Sequence, residues 1–208
     1  MVDRQSRFRF AVYLIPPYVV ARAVAEIHDM LQKQFGFVAA SRFQVHATIK
    51  GFYKRAGGSL DPLLERLDAV FAAQRPFEIQ FGGYRIDEVG IGLDISQLGD
   101  QLNLEMLALR ESVLQAVRPD IAPDSDFAEH LTTPFRAHIT LAFRDIPVAL
   151  YDDILAYLKD APLPAEPFMA DTYHFLEFRS QDWTGEWHQS LSWRLIRAWQ
   201  VRHVMAAT

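Results

Sequence analysis

FQVHATIKG, residues 43–51, and FRAHITLAF, residues 135–143, are two versions of one message, and the fold turns on how they are read. Each runs His, apolar, Thr, apolar. In an extended strand, side chains two apart share a face, separated by roughly 6 to 7 Å. His46 and Thr48 therefore project together, as do His138 and Thr140. Two imidazoles and two hydroxyls are presented in matching pairs, and the expectation is that the rest of the chain brings the pairs face to face around a phosphate.

Outward from these stretches, the chain reads as alternating strands and helices. Residues 8–15, FRFAVYLI, are aromatic and aliphatic and stop at Pro16-Pro17, which removes two backbone donors, so a strand is predicted. Val20, Val24, Ile27 and Leu31 recur at helical spacing within residues 18–35, with Gly36 where a C-terminal cap belongs. The first motif strand follows over residues 44–52. A helix over residues 60–73 and a hairpin of strands 77–86 and 89–96 complete the first half. The second half repeats the order: a helix over 98–117, ended by Pro119, then a polar loop over 119–134 long enough to serve as a lid. The second motif strand, residues 135–143, comes next. A helix over 147–159, a Pro-rich linker and two aromatic-rich strands, 169–179 and 187–199, close the chain. Two copies of a motif at equivalent places suggest an internal duplication carried by element order, since no residue-level repeat exists outside the motifs.

Composition excludes several classes. A chain of 208 residues, half of them apolar, can bury a substantial core. With no cysteine there is no disulfide framework, thiolate chemistry or Cys-ligated zinc. The first residues show no secretory pattern, and no apolar run reaches the length of a membrane span. A cytoplasmic protein, monomeric and without membrane contact, is the expectation. A formal net charge of -5 argues against wrapping duplex nucleic acid, which needs a broad basic footprint. A small phosphoester, or a nucleic-acid end, in a locally basic pocket remains compatible.

HATI at residues 46–49 and HITL at residues 138–141, in a chain of this length and element order, resemble the two-histidine (2H) phosphoesterase superfamily, and within it the bacterial 2′-5′ RNA ligase-like and cyclic phosphodiesterase branch. The resemblance covers nearly the whole chain, although its specific part is two tetrapeptides. It implies an α+β fold, a single domain over residues 1–208 with two pseudo-symmetric lobes, antiparallel sheets lining a central cleft and helices packed outside. It also implies metal-independent chemistry, without a cofactor, on 2′,3′-cyclic or 2′-5′ phosphodiesters of nucleotides or RNA ends. By the family pattern His46 is the general acid and His138 the general base. Read from the residues alone, the two roles are interchangeable.

The residue types suit that chemistry. Opening a cyclic phosphodiester needs a base for the attacking water, an acid for the leaving oxygen and donors for the charge that grows on the non-bridging oxygens. Two imidazoles with an ordinary pKa of about 6.5 serve the first two needs, and Thr48 and Thr140 the third. One His per motif with no carboxylate at strand parity leaves too few ligands for zinc. Lys50 shares parity with His46 and Thr48 and is expected in the cleft as a phosphate-binding charge. Arg144 follows the second motif at a parity that aims it away, so Arg136, two before His138, is the expected second cation. Tyr13, Phe52 and Tyr173 are candidate surfaces for stacking a nucleobase. His28, on a helix, reads as a surface or internally satisfied histidine. Two alternatives stay open: a 2′-5′ phosphodiesterase or ligase using the same four residues, and a non-catalytic module that only binds nucleotides or RNA ends.

Overall fold

The computed structural model describes residues 7–87, 90–122, 135–161, 163–164 and 166–202. The architecture is α+β, with antiparallel sheets and four α-helices among the described residues. Strand β1 is Phe8–Leu14, β2 is Ala47–Tyr53, β4 is Tyr84–Asp87 and β5 is Gly90–Asp94. Strand β8 is His138–Phe143, β10 is Thr172–Arg179 and β11 is Ser192–Gln200. These seven form one sheet in the order β11-β10-β1-β2-β8-β5-β4. Smaller two-stranded sheets pair β3 (Phe77–Ile79) with β9 (Phe168–Ala170), and β6 (Gln97–Leu98) with β7 (Gln101–Leu102). No described helix is long and apolar enough to cross a membrane.

Each side of the main sheet mixes the two halves of the chain. The β4-β5 hairpin from the first half pairs with β8 through β5, whereas β10 from the second half pairs with β1 and carries β11 on its outer edge. The sides meet along a narrow seam, where β2 and β8 are joined at the single register pair Ala47↔Ile139. Both residues of that pair are buried.

Amphipathic helices close one face. Helix α1 (Tyr18–Phe35) buries Val20, Val24, Ile27, His28 and Leu31, and Gly36 ends it in the left-handed conformation at φ 80° while its N–H caps the Gln32 carbonyl. Helix α2 (Asp61–Ala73) contributes Leu63, Leu67 and Phe71 to the same core. Helix α3 (Leu104–Val117) and helix α4 (Tyr151–Leu158) add Leu109, Val113, Ile154 and Leu158. On the opposite face a smaller aromatic core gathers Ala11, Tyr13, Leu176, Phe178, Trp183, Trp187 and Leu191, with Phe43, Phe52 and Phe143 packed against it. The alternation of β1 is visible here, since Phe10, Val12 and Leu14 face the helices while Ala11 and Tyr13 face the aromatic side.

Several predicted boundaries shift, each for a local reason. The motif strands begin later than residues 44 and 135, because β2 starts at Ala47 and β8 at His138. The expected strand over 77–86 breaks in two at Gly82-Gly83, where Gly83 takes φ 93°. Helix α3 begins at Leu104 rather than 98, because the Asn103 side chain caps it by accepting from the Met106 N–H at 3.1 Å. The strand expected over 187–199 begins only at Ser192, and Trp187–Ser190 forms a short 3-10 turn. Most of the loop read as a lid, residues 123–134, lies outside the described residues.

Candidate active site

The antiparallel seam fixes the geometry. Extending the Ala47↔Ile139 pair by one residue in each direction sets His46 across from Thr140 and Thr48 across from His138. Directly opposed Cβ atoms stand about 4.5–5.5 Å apart and diagonal ones about 7–8 Å. The two imidazoles therefore occupy one diagonal and the two hydroxyls the other. All four side chains line a cavity of about 300 Å³, together with Tyr13, His28, Phe43, Gln44, Phe52, Phe143, Arg144 and Trp187. Neither threonine hydroxyl has a hydrogen-bond partner among the described residues, so both remain available to a ligand.

The two histidines are held alike. Nδ1 of His46 donates to the Gln44 carbonyl at 2.8 Å, and Nδ1 of His138 donates to the Arg136 carbonyl at 3.1 Å. A proton on Nδ1 leaves Nε2 as the nitrogen for proton transfer in both rings. Tyr13 stacks on His46 with ring centroids 3.6 Å apart. Burial pushes the His46 imidazole down to about 4, against the opposing pull of the Gln44 carbonyl, and the neighbouring His138 and His28 push it further the same way. Burial also lowers His138, which the Arg136 carbonyl, Asp87 and Asp94 raise and Arg85 lowers.

Lys50 is not in the cavity. Its Nζ lies 5.6 Å from the centre of the Tyr53 ring, and the residue is buried. Strand parity does not carry as far as Lys50 because β2 is irregular against β1: Tyr13 pairs with Thr48, Val12 with Lys50 and Phe10 with Tyr53. Each extra residue on β2 flips the faces beyond it. Arg136 is also absent from the lining; its side chain is exposed, and it serves the site through its carbonyl. Tyr173 is a core residue, fully buried and stacked on Phe71 at 4.7 Å. Tyr13 reaches the cavity, but its ring face is taken by His46. Phe52 lines the cavity, packed on Phe178 at 4.8 Å and Trp187 at 5.3 Å.

The cation at the site is Arg144. Strand β8 ends at Phe143, so strand parity no longer governs the next residue. Arg144 has φ 64°, and the Asp145 N–H donates to the Phe143 carbonyl at 2.8 Å, closing a three-residue turn with Arg144 at its centre. Asp145 anchors this turn by accepting from the Val38 and Ala39 N–H groups at 2.6 and 2.8 Å. The Arg144 guanidinium rests 5.3 Å from the Trp187 ring centre and 5.8 Å from that of Phe143. Trp187 is delivered by a loop braced on Ser180, whose hydroxyl donates to the Trp187 carbonyl at 3.0 Å. His28, seen from sequence only as a helix histidine, lines the cavity and donates from Nε2 to the Thr140 carbonyl at 3.0 Å. Its place on the buried Val24, Ile27, Leu31 stripe was the available signal. Among the described residues no group of three or more His, Asp or Glu side chains gathers in a way that could hold a metal ion.

The model of the 2′-5′ RNA ligase superfamily matches residues 16–182, a span that includes both motifs. No curated protein sequence matches the chain. Among solved structures, TT0787 of Thermus thermophilus is 17% identical with a TM-score of 0.61, over 93% of this chain and 98% of that one. E. coli LigT in apo form is 12% identical with a TM-score of 0.53, over 93% and 96% of the two chains. E. coli LigT complexed with 3′-AMP is 13% identical with a TM-score of 0.51, over 94% and 98%. At these identities the likeness concerns the fold.

Proposed function

The chain belongs to the 2′-5′ RNA ligase superfamily, whose members act on phosphodiester bonds, and we propose that it hydrolyses 2′,3′-cyclic phosphates of nucleotides or RNA ends through His46 and His138. The observation that carries this reading is the matched pair of imidazoles, each with Nδ1 tied to a backbone carbonyl and Nε2 left for the cavity that Thr48 and Thr140 share. A cyclic phosphate seated between them is attacked by water at phosphorus. One imidazole takes the water proton, the P–O bond to one ribose oxygen breaks, and the other imidazole protonates that oxygen. Thr48 and Thr140 donate to the non-bridging oxygens, and Arg144 supplies the positive charge at the mouth. The family pattern assigns His46 as acid and His138 as base.

The burial of both rings bears on this. In the free protein both are depressed below the ordinary imidazole value, so an acid is available only once the anionic substrate favours a protonated ring. Substrate charge and catalytic protonation are thereby coupled. The aromatic lining of Phe43, Phe52, Phe143 and Trp187 supports a nucleoside carrier for the phosphate. E. coli LigT holds 3′-AMP, a ribonucleotide with its phosphate on the ring edge where a 2′,3′-cycle would close, which is consistent with the same substrate class here.

The test is hydrolysis of 2′,3′-cyclic and 2′-5′-linked dinucleotide substrates in chelator, followed by product analysis. His46→Ala and His138→Ala are each expected to lose about 10²–10⁴-fold in kcat. Full activity in either variant contradicts the reading. Preferential turnover of the 2′-5′ linkage would move the assignment to a 2′-5′ phosphodiesterase built on the same four residues.

A further inference from the structure

We propose that Arg85 is a positioning residue for His138: it reaches across β5 to share the Arg136 carbonyl with Nδ1 of His138, fixing the tautomer and charge of that ring. The inference rests on the reading that His138 transfers a proton. Register places Arg85 opposite Gly92, and Gly92 opposite Thr140, so the three lie in one row across β4, β5 and β8. Row partners share a face, which puts the Arg85 side chain on the face of Thr140 and His138. Gly92 keeps this row open. A Cβ there would meet the Ile139 carbonyl oxygen at 3.0 Å and Cδ2 of His138 at 3.1 Å. Nη1 of Arg85 donates to the Arg136 carbonyl at 2.7 Å, the oxygen that also accepts from His138 at 3.1 Å. Asp87 steadies the guanidinium, with Oδ1 accepting from Nε at 3.0 Å and Nη2 at 2.6 Å. The Arg85 side chain is 19% exposed, so solvent screens it only in part.

A carbonyl oxygen has two lone pairs, and here both are used. Held by Arg85, the Arg136 carbonyl stays where Nδ1–H of His138 finds it. The fixed positive charge opposes protonation of the ring. Other groups face His138 as well: its register partner Asp94 from β5, Asp87 from β4, His46 and Thr48 from β2, and His28 of α1 through the Thr140 carbonyl. Asp94 and Asp87 favour the charged ring and Arg85 opposes them. Asp94 also accepts from the N–H and hydroxyl of Ser96, at 2.7 and 2.6 Å. His46 answers instead to its two imidazole neighbours, so Arg85 acts on one catalytic ring of the two.

The experiment is an NMR titration of the histidine rings in the full-length free protein, comparing wild type with Arg85→Gln, Arg85→Lys and Asp87→Asn. Arg85→Gln is expected to raise the His138 midpoint by about 0.5 pH unit or more while leaving His46 in place, and to reduce the Nδ1–H tautomer of His138. Arg85→Lys keeps the charge and loses the fork, so the midpoint holds while the tautomer population shifts. Asp87→Asn moves the midpoint down, and it serves as the independent variant if Arg85→Gln does not fold. An unchanged midpoint and tautomer in the folded Arg85→Gln protein, or in Asp87→Asn where that variant stands in, overturns the proposal. Because the readout is on free protein, a shifted His138 with no cyclic-phosphate turnover in wild type separates failure of the proposed function from failure of this inference.

Discussion

An imidazole pushed down to about 4 carries almost no proton to donate near neutral pH in an empty site, and His46 is such a ring. The pH dependence of kcat/KM, which reports free-protein ionisations, follows from this. Activity requires one ring charged and one neutral, so the maximum falls between the two midpoints. Both are depressed, which places the optimum below about 6.5, the ordinary imidazole value. The bound anion raises both rings, so the kcat optimum lies at higher pH than that of kcat/KM; coincident optima above about 7 would contradict the burial argument. Arg144 is the second residue with a consequence. A non-glycine residue at positive φ costs on the order of 1–2 kcal/mol, strain held in place by Asp145 and expected at a functional position. Arg144→Gly is expected to leave stability unchanged or raise it by up to about 1 kcal/mol while raising KM roughly tenfold. An unchanged KM, measured beside a thermal melt, removes Arg144 from the substrate site. This cation escaped the sequence because period-two reasoning holds only inside a strand, and Arg144 is one residue beyond β8. Lys50 failed for the related reason that β2 is not regular against β1.

The seam between β2 and β8 is the element on which the site depends. It is one register pair wide, so the separation of His46 and His138 is set less by β2-β8 pairing than by what holds each strand from its other side. For β8 that is β5, along which Gly90 and Gly92 allow close approach. A Cβ on Gly90 would overlap the Ala142 carbonyl oxygen, a clash that only backbone movement relieves. Gly90→Ala is therefore expected to cost about 1–3 kcal/mol and to reduce kcat, since it displaces the strand that carries His138 and Thr140. Chemical denaturation together with turnover checks this, and a variant of wild-type stability shows that β5 does not set the position of β8. Elements rich in periodic apolar residues were readable: residues 18–35 form α1 with the boundaries its stripe and Gly36 predict, and β1 ends at Leu14, one residue short of the end that Pro16-Pro17 predicts. Pairing was less so. Nothing in residues 77–79 announces a partner at 168–170, and Trp187 reads as a strand residue until the Ser180 and Ser190 hydroxyls are seen bracing its loop.

At the scale of the whole molecule, the two motifs are complementary because the chain crosses between the sides of the sheet. Neither half supplies a complete side: β8 is flanked by a hairpin from the first half, and β1 by β10 from the second, with β11 beyond it. The four motif residues were legible because each His-x-Thr is local and strand parity survives over three residues. The surrounding Phe43, Phe143, Arg144, Trp187 and His28 come from separate elements, and their convergence is a property of the assembled fold.

The central claim is that His46, Thr48, His138 and Thr140 converge on one phosphorus. A crystal structure of the protein with phosphate bound tests it most directly. The expected result is a single anion with both Nε2 atoms and both threonine hydroxyls within about 2.6–3.2 Å of its oxygens. An anion held by one motif alone, or bound outside the cavity, would contradict the account.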